Sequence, residues 1–297
     1  MNTPKLPVWK PKFQRGKNFS MLVLASRGSG KSYLTKYLLE YHLRDKYDLF
    51  VVISDSDDEL ENYKEILPGR LFFNDFKPEL ITNLIEMNKK RIQEGKPLLQ
   101  VLFVFDDKIS NKMKYNDELL QLFTRGRHVG ISIVFISQSH AFASAAWRNN
   151  SDTIIVLKQN AKQARDAIND NILIGSLDAP ENVNEKKYYM NVMRNYINKE
   201  GDAVVLDFNE GAFNNLFQYR APSVQQRPVK VIAKKQKQPE TKPKPLEIEE
   251  VQDKIDPVRL DNIPEESPEE HTSYHEQIVE ISDSDDSSDD LIFNLGF

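Results

Sequence analysis

The sequence predicts an α/β fold with a mainly parallel sheet, and three observations predict it. Short runs of β-branched and aliphatic residues are nearly continuous in apolar character, as strands covered on both faces are. Longer amphipathic stretches separate these runs, as crossover helices do. The first run passes through a glycine-rich turn directly into one such stretch. In chain order, strands are expected at Met21 to Ala25, Leu49 to Ile53, Leu98 to Phe105, Gly130 to Ser137, Thr153 to Leu157 and Ala203 to Phe208. Helices are expected at Lys31 to Arg44, Pro78 to Gln93, Asn116 to Phe123, Lys162 to Ile174 and Asn182 to Asn198. Residues 1–19, basic and punctuated by Pro4, Pro7 and Pro11 around a single Trp9, read as an extended arm and not a core element. The folded domain is expected over residues 20–221.

The 297 residues carry 40 Lys+Arg against 45 Asp+Glu, but the net charge of −5 averages unlike pieces. Residues 246–297 hold 17 acids and 2 bases, so the first 245 hold 38 bases and 28 acids. Within that basic body the charge sits at both ends. Residues 1–20 have five bases and no acid, and residues 222–245 have seven bases against Glu240. Such arms suit phosphate backbones or acidic partners, with plain solubility as the competing reading. No cysteine is present and the five histidines lack zinc spacing, which excludes disulfides, thiolate metal sites and cysteine nucleophiles. The longest apolar runs are too short to cross a bilayer and none is of signal-peptide type, so a soluble cytoplasmic or nuclear protein without membrane contact is expected.

The glycine-rich turn is ASRGSGKS, comprising Ala25, Ser26, Arg27, Gly28, Ser29, Gly30, Lys31 and Ser32. A strand before it and a helix after it give the context of a phosphate-binding loop. Gly28 and Gly30 let backbone N–H groups turn inward, the helix N-terminus adds its positive dipole end, and Lys31 reaches the β and γ phosphates of ATP. Ser32 offers its hydroxyl to Mg2+. The strand QVLFVFDD ends in Asp106, expected to hold the metal's water shell, and Asp107, expected to orient the attacking water. Gln138 follows the strand Gly130 to Ser137, so a parallel sheet would bring it beside the γ phosphate as a sensor. Arg125, Arg127 and His128 precede that strand and belong to the opposite end of the sheet. Arg127 is the first candidate for an arginine acting on a neighbouring subunit's nucleotide, with Arg125 and Arg148 behind it. Together these motifs predict a P-loop NTPase.

ASRGSGKS, LFVFDD and RGRHVGISIVFISQS, in that order and spacing, resemble the poxvirus-type genome-packaging ATPases of large DNA viruses, virophages and Polinton-like elements, within the FtsK/HerA superfamily. The resemblance spans about residues 20–208. It implies a RecA-like (ASCE) domain in a homo-oligomeric ring, hydrolysing ATP with Mg2+ to drive double-stranded DNA into a capsid. A capsid or portal component is the implied partner, and the host nucleus or a cytoplasmic viral factory the implied location. By motif position Lys31, Ser32, Asp106, Gln138 and Arg127 carry over; Ala25 departs from the usual first glycine.

A P-loop phosphotransferase, such as a nucleoside or nucleotide kinase, is one competing reading, against which stands the lack of an arginine-rich lid segment. A scaffold recruiting partners through its tail is another, against which stand the intact Lys31, Ser32 and paired acids. Residues 222–245 read as a basic Pro-rich linker, either a nuclear-import signal or a DNA-contacting arm, and residues 246–297 as an acidic disordered tail. Ile278 to Ile281, followed by SDSDDSSDD, resembles a SUMO-interacting motif.

Overall fold

The computed structural model describes residues 5–223 apart from 69, 107–110, 139, 174–175 and 211–214. Asp107, nearly all of the basic linker and the whole acidic tail, Ile278 to Ile281 included, lie outside the described residues.

The chain alternates strands with helical segments. In order these are β1 (Ser20–Leu24), α1 (Lys31–Leu38), β2 (Leu49–Ser54), α2 (Asp57–Ile66), β3 (Arg70–Phe73), α3 (Pro78–Gln93), β4 (Val101–Asp106), α4 (Asn111–Lys114), α5 (Asp117–Arg125), β5 (Ile131–Ser137), α6 (Ala145–Asn149), β6 (Thr153–Leu157), α7 (Lys162–Ile168), α8 (Glu185–Tyr196), β7 (Asp202–Asp207) and β8 (Leu216–Arg220). The sheet runs β3-β2-β4-β5-β1-β6-β7-β8. All pairings from β3 to β6 are parallel and the last two are antiparallel. The strands are buried on both faces because each alternate residue meets a different helical layer. Leu22, Phe103, Phe105 and Phe135 pack with α3, α5 and α8, while Val23, Val52, Val104 and Val134 pack with α1 and α2. This explains the near-continuous apolar runs of the central strands. Among the described residues no helix is long and apolar enough to cross a membrane.

The expected helix after the glycine-rich turn does not remain α-helical to Arg44. It passes at Leu39 into a π turn (Leu39–Leu43) and then a 3-10 turn (Arg44–Lys46). The helix expected from Lys162 likewise gives way to a π turn at Asn169–Leu173. The sequence reading omitted α2, whose first half is acidic. Ser56 caps it by accepting the Glu59 N–H at 3.3 Å, and Asp57, Asp58 and Glu59 occupy its first turn, where carboxylates favour the helix dipole. It also omitted the edge strands β3 and β8, each too short and mixed to stand out.

Residues 5–19 require a correction. They contain no helix, yet Leu6 and Trp9 are buried in the two cores on opposite sides of the sheet. Val8 bridges Gln218 on β8 in parallel, and the Trp9 N–H donates to the Gln218 carbonyl at 2.9 Å. The Trp9 indole N–H donates to Asp207 Oδ2 at 2.8 Å, and its ring meets Tyr219 edge to face at 5.1 Å. The basic and proline residues that made the segment look solvated surround apolar anchors that cover an otherwise open sheet edge.

Candidate phosphate-loop site

β5 lies between β1 and β4, and all three run in parallel, so their C-terminal ends share one edge of the sheet. The order places the glycine-rich loop after β1, Gln138 after β5 and Asp106 at the end of β4. Asp106 is level with Ile136, and the Ala25 N–H donates to the Ser137 carbonyl at 3.0 Å, which sets Gln138 beside the start of the loop.

The loop is held on several sides. On the β6 side, the Ser26 N–H donates to the Lys158 carbonyl at 3.0 Å, and the Asn160 N–H donates to Ser26 Oγ at 3.0 Å. Inside the turn, the Ser29 N–H donates to the Ser26 carbonyl at 3.2 Å. On the β7 side, the Gly201 N–H donates to the Ser29 carbonyl at 2.9 Å. Gly28 and Gly30 have φ of 70° and 85°, in the left-handed region that side chains resist. Gly30 is also tightly packed, since a Cβ there would lie 2.8 Å from the Gly201 nitrogen. The sequence reading had no role for Gly201, whose turn touches the loop from some 170 residues along the chain.

Lys31 Nζ stands 3.7 Å from Asp106 Oδ1, with the two side chains only 11% and 2% exposed. The other Asp106 oxygen accepts a hydrogen bond from the Tyr63 hydroxyl at 2.6 Å. Tyr63 is fully buried on α2, and sequence reasoning missed it together with its helix. Lys36 joins the helices of this face, pairing with Glu59 at 2.8 Å and lying over the Tyr63 ring at 5.7 Å. Loop helix, α2 and β4 therefore close a circuit around one buried carboxylate. Low polarity strengthens each of these contacts and makes the loss of any one costly.

The arginine candidates are separated. Arg127 lies in the turn before β5, at the opposite edge of the sheet, and pairs with Asp152 at 2.8 Å. Asp152 also accepts from the Ser20 backbone N–H at 2.8 Å, so this pair ties together the starts of β1, β5 and β6. Arg125 and His128 line a small cavity of about 380 Å³ near the same edge. Arg148 instead donates to the Ala143 carbonyl at 2.5 Å, in the segment that follows Gln138. Burial lowers the pKa of Arg148, and burial first, then the Arg148 and Lys114 charges, lower that of His140. Both effects favour the neutral imidazole of His140. The structure brings together Lys31, Asp106, Gln138 and the loop, and leaves Arg127 and Arg125 away from them.

A glycine turn between a buried parallel strand and a helix, with a lysine beside an acid two strands away, defines a P-loop NTPase fold. The chain belongs to the poxvirus A32 protein family, whose profile matches residues 10–207. Among curated relatives, uncharacterized protein 015R of Frog virus 3 is 30% identical over 148 residues, 49% of this chain and 46% of that protein. Uncharacterized protein L437 of Acanthamoeba polyphaga mimivirus is 26% identical over 153 residues, 48% of this chain and 53% of that protein. The chain spans about half the length of these relatives. Among solved structures, B204, the DNA-packaging ATPase from Sulfolobus turreted icosahedral virus, superposes with a TM-score of 0.51 at 13% identity, covering 71% of this chain and all of that one. The cytoplasmic domain of the Thermomonospora curvata type VII secretion ATPase EccC gives 0.53 at 12% identity, covering 75% of this chain and 30% of that one. At such identities these two similarities speak for the fold.

Proposed function

We propose that this protein is an ATP-hydrolysing motor that moves double-stranded DNA into viral capsids, within the FtsK/HerA superfamily. The observation that carries the reading is the shared edge of β1, β5 and β4, where Lys31 lies 3.7 Å from buried Asp106 at the mouth of the loop. Family membership and the fold of B204 support it.

In this reading residues Ala25 to Ser32 cradle the phosphates, and Lys31 stabilises charge on the transferring group. Ser32 at the start of α1 and buried Asp106 at the end of β4 offer one hydroxyl and one carboxylate, a donor set that suits Mg2+, an ion that takes one or two carboxylates and completes its shell with phosphates and water. Ser32 and Asp106 would hold it, and bound there it would neutralise phosphate charge. Asp107 remains our candidate for orienting the attacking water, and Gln138 for sensing the γ phosphate. Arg127, 42% exposed and remote from its own loop, is the candidate for completing a neighbour's site in a ring. The remaining partner would be a capsid or portal component, in the nucleus or a viral factory.

Tyr63→Phe removes the donor to Asp106 Oδ2 without changing the volume of the core. Stranding that hydrogen bond costs about 1–3 kcal/mol. The expected result is a fall in turnover of about tenfold or more if the bond orients the acid. Steady-state kinetics over a range of magnesium concentrations checks it, and unaltered kinetics would reduce Tyr63 to a packing residue.

The experiment for the proposal as a whole is phosphate release from Mg-ATP by the full chain, with and without long duplex DNA. Stimulation by duplex supports a motor. DNA-independent turnover, or transfer of phosphate to a nucleoside, contradicts it.

A further inference from the structure

A second basic feature lies beside the phosphate loop. The segment after β6 and the start of α7 face α8 across a groove of about 750 Å³. Lys158, Lys162, Arg165, Lys187 and Arg194 line it, against the single acid Asp166. Lys186 also lines it, but its charge is engaged by Asp170 at 2.8 Å. Among the described residues no ion pair engages Lys158, Lys162, Lys187 or Arg194, and all four are exposed. Like charges gathered this closely repel one another, and an anion in the groove relieves that repulsion.

We propose that this groove binds the phosphate backbone of double-stranded DNA and passes its occupancy to the phosphate loop; the inference rests on the motor reading above. Spacing favours a polymer over a small anion. Lys187 and Arg194 are seven residues apart on α8, which puts them on one face and about 10.5 Å apart along the axis. Cations placed that far apart are set to meet separate phosphates of a backbone and not to close together on one small anion. Across the groove, Lys162 and Arg165 sit one turn apart on α7.

The link to the nucleotide loop is direct. Arg165 donates from Nη1 to the carbonyls of Gln159 at 3.1 Å and Asn160 at 3.0 Å. Asn160 in turn holds Ser26 through its backbone N–H, and the Lys158 carbonyl accepts the Ser26 N–H. A phosphate that draws on Arg165 or Lys158 therefore acts on the two residues that fix the entry to the loop. Duplex DNA in the groove is expected to alter turnover through this segment.

The test compares the full chain with its Lys162→Gln/Lys187→Gln/Arg194→Gln variant, using labelled duplex DNA over a range of salt concentrations. Each lost phosphate contact should lower the slope of log affinity against log salt by about 1, so by up to about 3 for the variant. Stimulation of phosphate release by DNA should fall with it. Lys162→Arg/Lys187→Arg should keep both the slope and the stimulation, because the charge is retained. An unchanged slope in a variant that melts like the parent would overturn the proposal. A second measurement avoids any variant: duplex DNA should protect Lys162 and Lys187 of the parent chain from acetylation, and absence of protection overturns the proposal independently. Single-stranded DNA and RNA are run as separate arms, and protection by these or by polyglutamate but not by duplex would assign the groove to another anion and sink it. DNA binding with the predicted slope in a chain that hydrolyses no ATP would leave the groove standing and discard the motor.

Discussion

Lys31→Ala is expected to lower ATP turnover by at least about 100-fold, the scale on which removing one preorganised charge-stabilising group acts. The ammonium is only 11% exposed and stands 3.7 Å from a carboxylate that is 2% exposed. On the proposed reading its loss takes positive charge from the phosphates, and it leaves Asp106 with Tyr63 as its donor but without the adjacent cation. Both consequences act on the same reaction. Stability is expected to fall as well, because Asp106 is left buried without its cation, although the apolar face formed by Leu34, Tyr37 and Leu38 stays in place. Phosphate release and thermal melting on the same samples separate the two. Turnover within a few-fold of the parent would place the chemistry elsewhere.

Trp9→Ala is expected to destabilise the domain by about 3–5 kcal/mol, the usual cost of truncating a buried large aromatic. Trp9 is 3% exposed and joins Phe13 and Tyr219 in an aromatic cluster at the edge of the sheet. The substitution also removes the donor to Asp207 Oδ2, leaving a largely buried carboxylate less well satisfied. Urea denaturation of the full chain measures the effect. A loss below about 1 kcal/mol, the range of substitutions away from packed features, would show that residues 5–19 merely lie against the domain.

The central strands and the loop were legible because their physics is local. A strand buried on both faces must be apolar at nearly every position, and a turn that brings amides onto phosphate needs glycine at left-handed positions. The edge strands β3 and β8 face fewer partners and tolerate Arg70, Gln218 and Arg220, so their composition carries little signal. α2 buries Leu60 and Tyr63 in a helix otherwise dominated by charge, and its acidic start reads as a loop until the Ser56 cap is considered. Ser56 followed three residues later by Glu59 has the spacing of a capping box and could have located it. The site was half legible for the same reason. Lys31, Asp106 and Gln138 follow from strand ends, whereas Tyr63 reaches Asp106, and Gly201 reaches the loop, only through long-range packing. Trp9 was misread because a basic, proline-rich flank hid an apolar anchor.

ATP-driven displacement of a third strand from a duplex is the measurement closest to the central claim, since it registers movement along DNA as well as turnover. The full chain should release the third strand with Mg-ATP and not with a non-hydrolysable analogue, and the Lys31→Ala chain should release none. Phosphate release by the parent chain with the third strand left in place would contradict a translocating motor.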